Sequence, residues 1–250
     1  MIKKFDTYLG LCTEVYDLSK PIPPEDAYNF YRYYVTQANG KTLEPMCGTG
    51  RFMLPLMEEG FKISGFDASE YMLDKLKNKA NLKNLDLNVW QGFAENFNST
   101  ERYNLIFIPS GSFGLIIDQT AVRLTLKNFY NHLNNGGILI FEAETLRSIP
   151  TLEVWKGSKW QRDDHTTILL STFATLEKNI CAYTCKYDLV ENNQIIHTEI
   201  EELKIRIYEA EELLLLLKET GFNKIKPIKA FDRSKFPDPK DEVVIYECRK

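Results

Sequence analysis

Long apolar runs are missing from this chain. No stretch approaches the ~20 consecutive apolar residues that a membrane-spanning helix needs, and the N-terminal Met1-Ile2-Lys3-Lys4-Phe5-Asp6 has no apolar segment of the kind that marks a signal peptide. The expectation is a cytoplasmic protein without a membrane partner. Metal and dithiol motifs are missing too. The five cysteines, Cys12, Cys47, Cys181, Cys185 and Cys248, are odd in number and contain no Cys-x-x-Cys pair, so neither zinc nor redox-dithiol chemistry is expected, and a reducing compartment fits. Charge of one sign is concentrated nowhere: 35 acidic and 31 basic residues give a net charge of −4 without long like-charge blocks. The electrostatic footprint of a nucleic-acid-binding protein is therefore absent. No internal repeat or low-complexity tract interrupts the sequence.

What remains is an ordinary globular composition. At 250 residues, 44% apolar and 26% charged, the chain can bury a substantial core, as one large domain or as a core carrying an insertion. Strand-length apolar runs at 42–46, 62–66, 86–91, 104–109 and 137–143 alternate with helix-period segments at about 51–59, 69–79 and 119–134, the last closed by Asn134-Asn135-Gly136-Gly137. That alternation predicts a parallel sheet with helices on both faces. Ahead of it, Pro23-Pro24-Glu25-Asp26 predicts the start of an aromatic-rich helix over 27–36, because proline is tolerated at or before a first helical turn. After Pro150 the period changes. Segments 166–176, 180–190 and 195–208 carry β-branched and aromatic residues at period 2, joined by Glu177-Lys178-Asn179 and Glu191-Asn192-Asn193-Gln194, which predicts an antiparallel meander. A helix from Glu209 to Thr220, acidic in its first turn and stopped by Gly221, precedes two final strands at about 224–230 and 243–248. The predicted fold is α/β: a doubly wound, mostly parallel seven-stranded sheet with an antiparallel β insertion, or lid, after strand five. The expected division is an N-terminal helical cap over 1–40, a doubly wound core over 41–148 and 209–250, and the lid over 149–208.

The phrase Leu43-Glu44-Pro45-Met46-Cys47-Gly48-Thr49-Gly50 places a strand end, a glycine turn and a helix start in succession. A second acid, Asp67, follows Glu44 by 23 positions at the end of the next apolar run. In doubly wound folds such a pair holds an adenosine-bearing cofactor, the turn at a helix N-terminus and the acid on the ribose. Two readings compete. A nicotinamide fingerprint, Gly-x-Gly-x-x-Gly/Ala, counted from Gly48 reaches Met53, which is bulky where helix and strand must pack closely. The segment instead resembles motif I of the Rossmann-like (class I) S-adenosylmethionine-dependent methyltransferases, acid-x-Gly-x-Gly-x-Gly, with Met46 in place of the first glycine. Gly65-Phe66-Asp67-Ala68-Ser69-Glu70-Tyr71-Met72-Leu73 resembles that family's second-strand segment. Gln91-Gly92-Phe93-Ala94-Glu95 stands where it often has Gly-Asp-Ala, and Tyr103-Asn104-Leu105-Ile106 where it often has Phe-Asp-Leu-Ile.

The resemblance implies S-adenosyl-L-methionine as cofactor and S-adenosyl-L-homocysteine as product. It implies a binding set of Tyr16, Glu44, Met46, Cys47, Gly48, Gly50, Asp67, Ala68, Ser69, Met72, Gly92, Phe93, Ala94, Pro109, Ser110 and Gly111. Glycines at 48 and 50 let main-chain amides approach the amino-acid part of the cofactor. Asp67 can accept from two vicinal ribose hydroxyls, Ala68 and Met72 offer apolar surface to adenine, and Glu44 can orient the methionine ammonium directly or through a loop amide. Phe93 and Asn104 replace aspartates of the family pattern; with Phe93, stacking and backbone donors are left to hold the adenine.

A sulfonium is already an activated leaving group, so methyl transfer needs mainly alignment of donor and acceptor, and the catalytic set stays open. Candidates on the acceptor side are Ser112 and Phe113 after the fourth strand, Glu142 and Glu144 after the fifth, and Trp160, His165 and Arg206 further on. Each has a structural alternative: Glu144 as a loop cap, His165 on a solvated turn, Arg206 paired with Glu199 or Glu201. The insertion resembles the lid of methyltransferases acting on small amines, sugars or antibiotic-like molecules. Its Trp155, Trp160, Phe173 and Tyr183 either line an enclosed pocket or form the insertion's own core. Ile108-Pro109-Ser110-Gly111 departs from the Asn/Asp-Pro-Pro-aromatic pattern of base methyltransferases, and no carboxylate cluster follows strand four to serve a metal. The expectation is methylation of a small-molecule N or O acceptor by a monomer or homodimer, without nucleic acid or metal. The alternatives are a non-catalytic binding module, supported by the departures at Met46, Phe93 and Asn104, and a nicotinamide oxidoreductase.

Overall fold

Strands β1 (Thr42–Pro45), β2 (Ile63–Asp67), β3 (Asn88–Gln91), β4 (Tyr103–Ile108) and β5 (Leu133–Glu144) form the centre of the protein in a computed structural model that describes residues 6–250. Residues 1–5 of the expected N-terminal cap lie outside the described residues. Leu105 through Ile108 and Leu139 through Phe141 are fully buried. Helices cover both faces of β4 and of the second half of β5, so these segments read as continuous apolar runs and not as alternating ones, whereas β3 is an edge strand with Asn88 and Gln91 exposed. One face packs on α2 (Glu25–Ala38), α3 (Met53–Glu58) and α4 (Glu70–Leu82), through Tyr31, Leu54, Leu76 and Phe107. The other packs on α5 (Gln119–His132) and α6 (Ala210–Thr220), through Ile106, Phe129, Phe141 and Leu217. Adjacent residues of β4 thus serve opposite cores, as the two-residue period of a strand dictates.

With β10 (Lys224–Lys229) and β11 (Val243–Arg249), which follow a second sheet, the order is β10-β11-β5-β4-β1-β2-β3. All neighbours are parallel except those of β11, which runs antiparallel to both β5 and β10. The seven-stranded, mostly parallel sheet matches the expected fold. Strand order reverses between β1 and β4, and the loops leaving their carboxyl ends splay apart there, the place where such sheets bind ligands.

The second sheet is antiparallel, in the order β6 (Lys156–Gln161), β7 (Thr167–Glu177), β8 (Ile180–Glu191) and β9 (Gln194–Arg206). Three of these strands were expected. The fourth, β6, is an edge strand with almost every residue exposed, so no apolar alternation marks it in the sequence. The predicted helix over 119–134 ends at His132, and Asn134-Asn135-Gly136-Gly137 belongs to the start of β5. There the register with β4 slips between Tyr103 and Leu105, and Gly136 takes φ +78°: a bulge uses the residues that would otherwise stop a helix.

Helix α1 (Gly10–Ser19) falls within the expected N-terminal helical cap, but its start and end are not marked in the sequence. It carries no side-chain N-cap of its own. Its N-terminal amides are satisfied from the second sheet: Tyr8 and Leu9 N–H donate to Glu201 at 2.8 Å each, and Leu11 N–H to Glu199 at 2.8 Å. Carboxylates at a helix N-terminus are favoured by the unpaired amides and the dipole, but these are supplied from some 190 residues away. Leu11 and Val15 then bury against Ile168, Cys185 and Tyr187.

Candidate active site

The glycine loop is a left-handed turn. Met46, Gly48 and Gly50 have φ of +57°, +53° and +79°, so Met46 occupies the backbone conformation for which a glycine is the usual residue. Cys47 N–H donates to Phe66 O at 3.0 Å and Gly50 N–H to Cys47 O at 2.9 Å, which ties the turn to β2 and to itself. The two glycines do different work. A Cβ on Gly48 would meet nothing nearer than Met72 Sδ at 4.0 Å, whereas one on Gly50 would lie 2.3 Å from Leu76 Cδ1 and 2.9 Å from Leu54 Cγ. Gly50 therefore lets α3 and α4 pack together, and only Gly48 leaves open space for a ligand.

Asp67 joins the three loops at the carboxyl ends of β1, β2 and β3. Its Oδ2 accepts from Gly48 N–H at 2.8 Å, its Oδ1 from Ser69 N–H at 2.9 Å, and its carbonyl from Gly92 N–H at 2.9 Å. Burial raises its pKa, while the amides of Ser69, Gly48 and Ala68 oppose that rise by favouring the anion. Ser69 caps α4 through Met72 N–H and donates its hydroxyl to Tyr8 O at 2.7 Å. At the other end of α1, Asp17 accepts from Thr49 Oγ1 and, at 3.0 Å, from Lys79 Nζ. Helix α1 is thus strapped across the glycine loop at both ends.

These loops enclose a cavity of about 410 Å³. Of the expected cofactor residues, Tyr16, Met46, Gly48, Asp67, Ala68, Met72, Gly92, Phe93 and Ala94 line it, and Ser112 joins them from the acceptor candidates. The opposite wall was not foreseen. It consists of Leu115 to Asp118 after β4 and of Glu202, Leu203 and Lys204 from β9, a juxtaposition created by the packing of two sheets and marked by no local motif. A wider and shallower depression of about 720 Å³ lies elsewhere, around Arg102, His132 and Lys250; it contains none of the candidate residues.

The remaining candidates fall into three groups. Ser110, Gly111, Glu142 and Glu144 line a second cavity of about 230 Å³ together with Lys20 and Arg51. Glu142 Oε1 there accepts from the Tyr31 hydroxyl at 2.8 Å and from Ser110 N–H at 2.9 Å, while burial raises its pKa. Glu44, Cys47, Gly50, Ser69 and Pro109 lie in the supporting layer and line neither cavity. Glu44 is 2% exposed, its Oε2 has no hydrogen-bond partner among the described residues, and burial pushes its carboxyl well above the usual range, with the nearby Asp67 charge adding to the effect.

The third group is structural in its contacts. Phe113 is wholly buried against Phe141 and Tyr208. Trp160 packs on the cluster between α1 and the second sheet, and His165 sits exposed in the 162–166 turn. Trp155 lies against Phe173 and is 59% exposed. Arg206 is buried and paired with Glu212 of α6 at 2.6 Å, not with Glu199 or Glu201, which serve α1. Asn104 lies at the start of β4, bonded to Asn134 Nδ2 at 2.7 Å. It is at the end of the strand away from both cavities.

A methyltransferase-domain family model matches residues 43–137. A protein of Bacillus subtilis (strain 168) that carries a provisional methyltransferase name, YqeM, is 24% identical over 244 residues, 97% of each chain. Among solved structures, an S-adenosylmethionine-dependent methyltransferase from Clostridium acetobutylicum ATCC 824 aligns with a TM-score of 0.78 at 19% identity, covering 94% of this chain and 96% of that one. A sugar N-methyltransferase from Streptoalloteichus sp. ATCC 53650 aligns with a TM-score of 0.77 at 14% identity, over 100% and 98% of the two chains. The fold likeness extends through the second sheet, well beyond the residues that the family model matches.

Proposed function

We propose that the chain is a Rossmann-like (class I) S-adenosylmethionine-dependent methyltransferase that methylates a nitrogen or oxygen of a small molecule, a reading supported by the methyltransferase-domain match and the shared fold. The observation that carries this reading is the cavity of about 410 Å³ walled by the Asp67 loops on one side and by Glu202 to Lys204 of the second sheet on the other. A site roofed by a β-sheet and strapped by α1 admits a compact acceptor more readily than a duplex or a folded protein. The similarity to a sugar N-methyltransferase over the whole chain, roof included, supports the same class.

The residues suit the cofactor. Glu44 Oε2 is a buried carboxyl oxygen with no partner among the described residues, two positions before the turn and behind the first cavity's lining, from where it can orient the cofactor's ammonium through the loop. Gly48 leaves its surroundings open. Asp67 accepts from the amides of Gly48, Ser69 and Ala68, which still leaves acceptor capacity for a hydroxyl group. Phe93, Ala68, Met72 and Ile116 give apolar surface on several sides. When bound, S-adenosylmethionine supplies an electrophilic methyl whose leaving group is a neutral thioether. The protein's share is then orientation and exclusion of water, effects that can supply about 7–11 kcal/mol of rate enhancement without a nucleophilic side chain.

Calorimetric titration with S-adenosylmethionine and S-adenosylhomocysteine tests the cofactor assignment, and release of the latter across a panel of amines, amino sugars and phenols tests transfer. Asp67→Ala should weaken cofactor binding by about 1–3 kcal/mol, roughly ten- to a hundred-fold in Kd. An unchanged Kd sinks the Asp67 role. Absence of binding by the wild-type protein at millimolar ligand rejects the enzyme reading, and binding of NADH in its place favours an oxidoreductase.

A further inference from the structure

The second cavity is built against the first. Helix α1 contributes Tyr16 to the first cavity, and Lys20, the residue that follows its last turn, lines the second. The glycine loop and the helix after it contribute Gly48 to one and Arg51 to the other. The turn after β4 contributes Ser112 to one, and Ser110 and Gly111 to its neighbour. Three separate elements therefore partition the two spaces, and a methyl donor seated in the first has the second beside it.

The polar lining of the second cavity carries both signs of charge. Glu142 is occupied by Tyr31 and Ser110. Glu144 is not: among the described residues it accepts one long hydrogen bond, from the Ser148 hydroxyl to Oε2 at 3.3 Å. Its Oε1 lies against Gly111, where a Cβ would come within 3.1 Å of it. Lys20 makes no salt bridge among the described residues, and its ammonium lies 5.1 Å from the centre of the Tyr16 ring. Arg51 gives one N–H to Ile22 O at 3.1 Å. A carboxylate and two cations thus face a space of about 230 Å³ with bonding capacity left over. At about 30 Å³ per water-sized group that space holds roughly seven or eight non-hydrogen atoms.

We propose that this cavity seats the methyl acceptor and selects a small amine that also bears a carboxylate, with Glu144 facing the amine and Lys20 and Arg51 facing the acid. The inference rests on the methyltransferase reading above. In the transfer, the lone pair of the neutral amine forms the new nitrogen–carbon bond and the sulfur–carbon bond breaks with its pair left on sulfur. The proton that nitrogen then loses passes to Glu144 and on to water. Buried carboxylates hold protons more readily than exposed ones, and burial raises the pKa of Glu144.

The test uses the wild-type protein with saturating S-adenosylmethionine, measuring S-adenosylhomocysteine release with glycine, L-alanine and L-serine, and with glycinamide, which keeps the amine and loses the acid. Turnover is expected with at least one amino acid, and kcat/KM is expected to fall about ten-fold or more for the amide. Lys20→Met should raise KM for that amino acid about ten-fold while the Kd for S-adenosylmethionine stays within about two-fold, and Lys20→Arg should restore most of the loss. Equal turnover of glycinamide overturns the proposal. So does a Lys20→Met protein that loses affinity for S-adenosylmethionine and keeps its acceptor KM, because the cations would then belong to the cofactor. If S-adenosylmethionine binds but no amino acid is turned over or binds calorimetrically in the presence of S-adenosylhomocysteine, this proposal fails and the methyltransferase reading stands. Failure to bind S-adenosylmethionine removes both.

Discussion

Met46 offers a test of the loop that is independent of any ligand. It sits at φ +57°, where an L residue is penalised by roughly 1–2 kcal/mol and glycine is not. Met46→Gly relieves that strain but also removes a half-buried side chain that packs on the core around Phe66, a loss of about 1 kcal/mol if half of a full methionine burial is forfeited. The two contributions nearly cancel, so the informative comparison is with Met46→Ala, which loses the same side chain and keeps the Cβ. In ordinary backbone alanine is the more stable of the two by roughly 0.4–1 kcal/mol, because glycine has more freedom to lose on folding. At position 46 the left-handed penalty outweighs that preference, and glycine should be the more stable by about 1 kcal/mol. In a chain of this size that difference corresponds to about 2–4 °C in Tm, and it should appear in urea unfolding as a higher midpoint at unchanged m. Alanine equal to or more stable than glycine would refute the left-handed assignment, and with it the equivalence of Met46 to the motif's first glycine.

Two further substitutions separate packing from binding around the same loop. Gly50→Ala should cost about 2–4 kcal/mol, since its Cβ would overlap Leu76 and Leu54 at φ +79°; a loss below about 1 kcal/mol in urea unfolding would contradict the α3–α4 contact described here. Glu44→Gln should stabilise the ligand-free protein increasingly as pH rises. The folded carboxyl of Glu44 is raised above its ordinary 4.5, so the native state holds a proton that the unfolded chain has released. Wild-type stability therefore falls between pH 4.5 and the raised value, by up to about 1.4 kcal/mol per pH unit, while the glutamine variant has no such dependence. Melting curves that stay parallel from about pH 5 to 8 would refute it.

The core of the fold was legible because its signals are local. β4 and the second half of β5 are apolar runs buried on both faces, and the helices between the strands carry their own period. The same holds for the Asp67 side of the site, whose residues follow one another along three consecutive strand ends. What was not legible is non-local. Helix α1 is capped by Glu199 and Glu201 from the far end of the second sheet, so its own sequence lacks the cap that would announce it. The roof residues Glu202, Leu203 and Lys204 stand on a strand whose pattern specifies only that it is a strand. The charges of the second cavity come from α1, α3's approach and β5, and only the folded chain shows that they face one space. Asn134 to Gly137 misled for a related reason: glycine and asparagine serve a helix end and a β-bulge equally well, and the register of β5 against β4 decides between them.

The departures that favour a silent binding module lose weight on the same ground. Asn104 is bonded to Asn134 at the end of β4 away from both cavities, so its difference from the family pattern carries no message about the cofactor. Met46 keeps the left-handed backbone that a glycine would take, which preserves the turn and leaves the cost in stability. Phe93 does line the cavity, and there an aromatic ring exchanges a hydrogen-bond acceptor for stacking area. Against these stands Glu44, a buried carboxyl with an oxygen unpartnered among the described residues. A buried carboxyl kept protonated by burial costs the fold stability as pH rises, and such groups are common where a charged ligand completes them. A chain whose role ended at folding would gain stability from glutamine there. The Glu44→Gln comparison thus discriminates when run with cofactor as well: if S-adenosylmethionine binding reverses the order of stability, making wild type the more stable protein, the charge is held for a cationic ligand. If the variant stays ahead at saturating cofactor, Glu44 is only a liability of the apo fold, and its assignment to the ammonium falls.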